Sequence, residues 1–421
     1  MPRGNGNLKT RVVITGLGVV SSSGMGRDAF WDAVVQGRSG IRHITGFDVK
    51  NLYCRIAGQI TDFDPRDFME ASEARRCGRF VHFALAAAQM AVADAGLDLD
   101  RVPAFRKGAI CGTSVAGSGN ITDEIYRKYF ESGPRACGRL DHLELAPHAA
   151  TARLMIRYGM KGPSTSVATG CCSSLEAIAF GAESLRTDAA DVMLVGASEA
   201  MISEFGLSLL ARVDIMTRRN EEPTTASRPY DATRDGIVVS EGAGMVVLET
   251  AEHALNRGAR IFAEVVGYGC ATEGQHLAKA DPSGVELAAA LRQALVEARA
   301  APTDIDYVCA HGIANREYDM ADMRALKIAL GEHAYSIPVS SIKGTTGQPF
   351  AASGMWQTAA ACMAMQTGIV PPTINYHYPD PECDLDCVPN RARVARVDTA
   401  VVNSHSFGGT HSALIIRRFE P

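Results

Sequence analysis

The sequence predicts an α/β fold built from two similar halves. Three observations carry this. Short β-branched runs alternate with amphipathic or Ala-rich helical segments along most of the chain. The run VVITGLG near the start is echoed by AEVVGYG beyond the middle. The pair DVMLVGASEA and EGAGMVVLE is echoed by TAVVNSHSFGG and THSALIIRR near the end. A period this long marks duplication of a whole mixed unit rather than a solenoid repeat. No Pro/Ser-rich linker separates the copies, so halves 1–255 and 256–421 are expected to form one fused body.

The elements follow in order. Arg11–Val20 reads as a buried strand, and Asp28–Val35 as a short helix. Residues 40–70 look irregular. Phe80–Ala95 is an Ala-rich helix stopped by Gly96. Lys107–Gly112 is a strand running into a Gly/Ser turn. Leu175–Leu185 places Leu175, Ile178, Ala179, Ala182 and Leu185 on one helical face. Asp191–Val195 and Gly244–Leu248 are buried strands. In the second half, Ile261–Val266 is a strand followed by Gly267 and Gly269. Val285–Ala298, Met320–Leu330 and Gly354–Met365 are helices. Asp306–Ala310, Pro338–Ile342, Thr399–Asn403 and Ala413–Arg417 are strands.

Composition narrows the function classes. Of 421 residues, 46% are hydrophobic and 21% charged, an ordinary folded composition that excludes disordered, collagen-like and coiled-coil chains. Lys+Arg 42 against Asp+Glu 47 leaves −5, and no basic run is present, which argues against nucleic-acid or polybasic membrane binding. The 40 glycines imply many tight turns or close backbone approaches. Eleven cysteines, without CxxC spacing, read as reduced thiols of a cytoplasmic protein. MPRGNGNLKT lacks the apolar core of a secretory leader. No uncharged apolar stretch is long enough to cross a bilayer.

A few residues stand where chemistry is expected. In GPSTSVATGCCSSL, residues 162–175, Cys171 lies where a strand-like run meets a helix. The free N–H groups and dipole of a helix N-terminus favour a thiolate, and the N–H of Cys171 itself can hold an oxyanion. A cysteine there is otherwise a small buried hydrophobe. Cys172 falls one residue too deep. His311 ends an apolar strand before Gly312 and can face a cleft, or simply cap a strand end. His405 and His411 flank a turn whose N–H groups are candidate oxyanion donors. Lys343 follows VSSI, where a lysine is ordinarily a solvated strand end. Dinucleotide, Walker and HEXXH motifs are absent, as are paired Cys/His metal spacings, so no metal is expected.

Several motifs then agree in content and order. GPSTSVATGCCSS resembles the nucleophile segment of elongating β-ketoacyl-acyl carrier protein synthases, within the thiolase superfamily. SRPYDATRDGIVVSEGAG, CAHGIANREYD, VSSIKGTTG, DPECDLDCVPN and NSHSFGGTH follow in that family's order, and the likeness runs from Arg11 to Arg418. The resemblance implies a thiolase-like fold, with duplicated mixed-sheet halves in five layers, α-β-α-β-α. It implies Cys171 as the acylated nucleophile and His311 as the first catalytic histidine, serving malonyl decarboxylation. It implies Lys343 as a structural or charge-tuning lysine, and Phe407 as a gate whose N–H joins that of Cys171 in an oxyanion hole. Gly408 and Gly409 follow in that turn, and Val115 matches a position near the acyl-pocket floor. No free cofactor is implied; the substrate carrier is the phosphopantetheine arm of an acyl carrier protein. The expected assembly is a homodimer, or a heterodimer with a second ketosynthase-like subunit.

The departures from the family pattern are specific. The second catalytic histidine is replaced by Gln348, which donates a hydrogen bond but moves no proton at neutral pH. The glutamate near the lysine becomes Gln357. The two threonines that hold the phosphopantetheine arm become Ile313 and Asn315. The usual phenylalanine two residues before the gate is His405. Three readings follow: a condensing enzyme of fatty-acid or polyketide-type specialised metabolism; a non-decarboxylating acyl-transfer or ring-closing enzyme on a Cys171 thioester; and a non-catalytic chain-length-type partner. Retention of Cys171, His311, Lys343 and Phe407 weighs against the third, and a scaffold or binding module would have no need of a reactive thiol.

Overall fold

The computed structural model describes residues 10–116 and 119–421. The N-terminal run MPRGNGNLKT lies, up to residue 9, outside the described residues. Ten strands form one path of two matched sets. The first set is β1 (Val12–Ser21), β2 (Lys107–Gly112), β3 (Ser164–Val167), β4 (Val192–Glu199) and β5 (Gly242–Thr250). The second is β6 (Ala263–Thr272), β7 (Tyr307–Cys309), β8 (Val339–Ser340), β9 (Thr399–His405) and β10 (Thr410–Arg417). Their orders are β3-β2-β4-β5-β1 and β8-β7-β9-β10-β6. In each set the first three strands are parallel and the last two antiparallel. The sets join where β1 meets β6, through Val13 opposite Glu264 and Ile14 opposite Ala263.

Six helices repeat with the same phase: α1 (Arg79–Asp94), α2 (Ala149–Arg157) and α3 (Ser173–Arg186), then α4 (Val285–Ala298), α5 (Arg316–Leu330) and α6 (Ser353–Thr367). Alternation along the strands separates the layers. Val195 and Val246 face a central core with Leu175 and Ile178 of α3 and Met355 and Trp356 of α6. Their neighbours Leu194 and Val247 face an outer core with Phe80 and Phe83 of α1. In the other half, Val308 and Val401 face Leu291 of α4 and Leu326 of α5. The result is the duplicated five-layer arrangement. Helix α6 is buried on every side, which is why it reads as apolar all round.

The paired glycine motifs have a packing cause. A Cβ on Gly18 of β1 would stand 1.9 Å from the carbonyl oxygen of Ala87 in α1, and one on Gly269 of β6 would stand 2.0 Å from that of Ala290 in α4. Each half uses a bare backbone position so that its outer helix can sit directly on the strand. The glycines therefore lie inside β6, which runs on to Thr272 instead of stopping at Val266. Likewise β9 extends to His405, because Ser404 and His405 pair with Ser412 and His411 of β10. The strand expected over Pro338–Ile342 shrinks to β8, and Lys343 opens a short helix, Lys343–Thr346. Among the described residues, no helix is long and apolar enough to cross a membrane.

Candidate active site

The sequence candidates at Cys171, His311, Lys343, Gln348, His405 and Phe407 converge at the C-terminal ends of parallel strands, although they come from both halves. Cys171 sits in a tight turn, Gly170–Cys172, between β3 and α3. Gly170 holds φ 62, and a Cβ there would meet the Ser406 hydroxyl at 2.0 Å. The N–H of Cys171 donates to that hydroxyl at 3.1 Å. Gln348 Nε2 donates to Cys171 Sγ at 3.2 Å. Its own backbone is pinned between Val238 and Ser240, which fixes where the side chain starts. The expected thiolate at a helix N-terminus does not appear in the closed site. Burial pushes the Cys171 thiol up to about 12, opposed by the charge of Lys343 and by the hydrogen bonds from Gln348 and Ser406. The sulfur of Cys172 turns away, toward the carbonyls of Ser404 at 3.4 Å and Thr410 at 3.2 Å.

His311 follows β7 and is fully buried. Burial, and the nearby charge of Lys343, hold its imidazole well below the usual range, so it is neutral. Its Nδ1 lies 3.4 Å from the Ser404 hydroxyl, and Nε2 has no partner among the described residues. Lys343 is not a solvated strand end. It is buried, donates to the carbonyl oxygen of His311, and reaches Gln357 Oε1 at 3.2 Å. Gln357 Nε2 in turn donates to the carbonyls of Cys309 at 2.8 Å and Ala310 at 2.9 Å. A glutamine fits here because the strand end presents carbonyl acceptors that a carboxylate would repel. Burial lowers Lys343 to about 8.

The other sequence candidates are placed as follows. His405 packs beside His311, with ring centroids 4.5 Å apart. In the turn after β9, Gly408 and Gly409 donate their N–H groups to the carbonyls of Leu277 and Ser406. Of the three turn residues, only the N–H of Phe407 has no acceptor among the described residues. Ile313 joins the apolar wall around Cys171. Asn315 does not face the thiol; its side chain caps α5 by accepting from the N–H groups of Glu317 and Tyr318. Val115 donates its N–H to Glu199 Oε1 at 3.4 Å. An open cleft of about 690 Å³, lined by Arg212, Lys279 and Arg316 and by Asp214, Asp235 and Glu317, opens beside Tyr318. Tyr318 touches both His405 and Phe407.

Comparison with known proteins gives the family. The family model described as "Beta-ketoacyl synthase, N-terminal domain" matches residues 9–254, and the one described as "Beta-ketoacyl synthase, C-terminal domain" matches 262–377. The chain belongs to the β-ketoacyl synthase family. It is 38% identical to a 3-oxoacyl-acyl-carrier-protein synthase 2 of Coxiella burnetii, covering 97% of this chain and 99% of that one. It is 40% identical to the granaticin polyketide putative β-ketoacyl synthase 1 of Streptomyces violaceoruber, with the same coverage. Among solved structures, a ketosynthase in complex with its type II polyketide acyl-carrier protein aligns with TM-score 0.90 and 30% identity, over 98% of this chain and all of that one. The ishigamide ketosynthase/chain length factor aligns with TM-score 0.91 and 31% identity, over 98% of this chain and all of that one. Members of this family therefore work in fatty-acid and polyketide synthesis.

Sequence reading missed the residues that hold the site in place. Asp322 accepts from the N–H of Gly312 at 3.0 Å, from the Tyr230 hydroxyl at 2.6 Å and from Asn403 at 2.5 Å. Asp319 accepts from the N–H groups of Ile313 and Tyr230 and pairs with Arg234 at 3.2 Å. Two acids one turn apart on the helix after His311 were the available signal. Glu199, buried and pushed up to about 7, clamps the N–H groups of Ser114 and Val115. Ser406 had no signal beyond its place before Phe407.

The lysine charge has a measurable consequence. Lys343→Met removes the cation that favours the thiolate of Cys171, so alkylation of Cys171 by iodoacetamide at pH 7 should slow by about tenfold, one pKa unit. The gap should narrow above about pH 8, where Lys343 itself loses its proton. Equal rates at pH 7 would remove the charge-tuning role.

Proposed function

We propose that this protein is a ketosynthase of fatty-acid or polyketide-type specialised metabolism. Cys171 takes an acyl group from a carrier-protein thioester and passes it to a malonyl-type extender by Claisen condensation. The observation that carries this is the convergence of Gln348 Nε2 on Cys171 Sγ at 3.2 Å, with the neutral His311 imidazole in the same closed pocket.

The roles follow from the groups present. The thiol of Cys171 adds to the thioester carbonyl. The N–H of Cys171, released from Ser406, and that of Phe407 receive the oxyanion. The Phe407 ring gates the entrance. His311 Nε2 faces the extender, binding its thioester oxygen as the carboxylate leaves and enolate charge develops. Lys343 fixes His311 through its carbonyl and favours thiolate character. Gln348 holds the same extender carbonyl as a donor only. Ile313 and Val115 bound the acyl and arm space, and His405, Gly408 and Gly409 back the turn. Asn315 is spent on capping, so the phosphopantetheine arm depends on other contacts. The cleft beside Tyr318, lined by Arg212, Lys279 and Arg316 together with Asp214, Asp235 and Glu317, offers charges of both signs to an acyl carrier protein. The assembly is a dimer, of two copies or with a second ketosynthase-like subunit.

Gln348 also favours a second reading, acyl transfer or ring closure without decarboxylation, because a glutamine cannot exchange protons. The experiment incubates the protein with acyl-loaded and malonyl-loaded carrier protein. It follows the mass of the Cys171 peptide and the release of carbon dioxide. A mass increase of the acyl group on Cys171, followed by ketoacyl product, is expected. Gln348→His should raise carbon dioxide release roughly tenfold or more, the low end of general acid–base effects. Acyl uptake without carbon dioxide release in the wild type would favour the second reading. No adduct with any donor would sink both.

A further inference from the structure

Three imidazoles stand in a row that reaches the candidate nucleophile's backbone through Ser404, whose hydroxyl lies 3.4 Å from His311 Nδ1 and donates to the Cys171 carbonyl at 3.0 Å. His311, His405 and His411 are buried, with ring centroids 4.5 Å apart for the first pair and 5.5 Å for the second. The row continues to the other side of the turn, where His411 Nε2 lies 3.1 Å from Glu273 Oε1. The Glu273 side chain is itself 2% exposed, and the exposed stretch 274–277 follows it in the chain. Buried polar atoms are ordinarily paired. Yet His311 Nε2, both ring nitrogens of His405, His411 Nδ1 and Glu273 Oε2 have no partner among the described residues. Unpaired titratable atoms thus stand on four neighbouring side chains, each able to take up and give on a proton.

The chemistry proposed above, on which this inference rests, needs such a passage. In condensation the acyl group leaves Cys171 for the extender carbon, and the extender's carboxylate departs as carbon dioxide. The electron pair of the broken carbon–sulfur bond stays on sulfur. The products are a ketoacyl thioester, carbon dioxide and a Cys171 thiolate, so one proton must enter from outside in every turnover. Gln348 cannot bring it, and the carrier arm would fill the front of the site. We infer that His405 and His411 form a proton relay from Glu273 to His311, which returns that proton to Cys171.

The surroundings suit a conductor rather than a store. Burial, with the charge of Lys343, holds His405 well below its usual range, and burial brings His411 down to about 4, so neither traps a proton. The Cys171 thiol, pushed up to about 12, is the sink at the end of the row. Asp322 Oδ1, 4.0 Å from His405 Nε2, can steady the passing charge, while Tyr318 covers the His405 ring. At the outer end, Asp281 and Glu286 attract protons toward His411. His405 acts through His311 and is a positioning and conducting residue, not a catalytic one.

The test separates the two half-reactions of the full-length protein. Acylation of Cys171 hands its proton to the departing carrier thiol and needs none from outside; condensation does. His405→Phe should lower condensation kcat at least tenfold more than it lowers the acylation rate. KM for the malonyl carrier should move less than twofold, and the solvent deuterium isotope effect on kcat should rise above the wild-type value. His411→Asn, further from the sulfur, should show the same split and serves where His405→Phe does not fold. Equal losses in both half-reactions, or none, would overturn the relay while leaving the condensation reading intact. A wild type that acylates Cys171 but never condenses would remove both.

Discussion

Cys171→Ala is expected to take acyl uptake below detection, a loss on the order of a thousandfold or more, as removal of an enzyme nucleophile does. Its neighbour cannot take over. Cys172 points its sulfur at the carbonyls of Ser404 and Thr410, is fully buried, and has its thiol raised well above the usual range. Fragment masses of the peptide spanning residues 171 and 172 should therefore place the wild-type adduct on Cys171 alone. Cys172→Ala should keep that adduct. The fold should tolerate Cys171→Ala, since the thiol occupies one place in an apolar wall shared with Ile313 and Phe350. An adduct of wild-type amount on Cys171→Ala would end the nucleophile assignment.

Arg234→Met is expected to cost stability, about 3–5 kcal/mol, because it strands buried charge. The guanidinium is 1% exposed and pairs with Asp319 at 3.2 Å and Asp380 at 2.7 Å, themselves 0% and 5% exposed. Burial has already pushed Asp319 up to about 6, with Arg234 holding it down. Without the cation, Asp319 should bind a proton more readily still. An acid whose folded pKa lies above its unfolded value makes the native state bind more protons, so stability falls as pH rises through that range. The deficit of the variant should thus be largest above pH 7 and shrink at pH 5.5, read as the urea midpoint at both values. An unchanged midpoint at pH 7.5 would show the network to be dispensable. Activity should fall too, since Asp319 also holds the N–H of Ile313, two residues after His311.

Much of the architecture was legible because it rests on local pattern. Lys107–Gly112 and Val285–Ala298 carry clean periodicity and end where a turn or capping residue stands, so their limits match β2 and α4. The echo of VVITGLG in AEVVGYG corresponds to β1 and β6 occupying equivalent places in two identically ordered sets. Misreadings fell where a long-range partner overrides local preference. Gly267 and Gly269 looked like a strand end, but β10 pairs with β6 through them and α4 closes over them. Lys343 looked solvated, because nothing in VSSIKGTTG foretells that the His311 carbonyl and Gln357 converge on its ammonium from elements distant in sequence.

By itself the sequence determined the α/β class, the duplication, and which residue types stand at 171, 311, 343, 348 and 407. Those follow from periodicity and motif, which are properties of neighbouring residues. Only the tertiary structure decided how they act on one another. It placed the Gln348 amide on the Cys171 sulfur, spent Asn315 on a helix cap, and lined up His311, His405 and His411 toward Glu273. Those outcomes depend on burial and on contacts between residues far apart in the chain. Burial keeps the thiol and the imidazoles neutral, and no stretch of sequence specifies burial until both halves have closed around it.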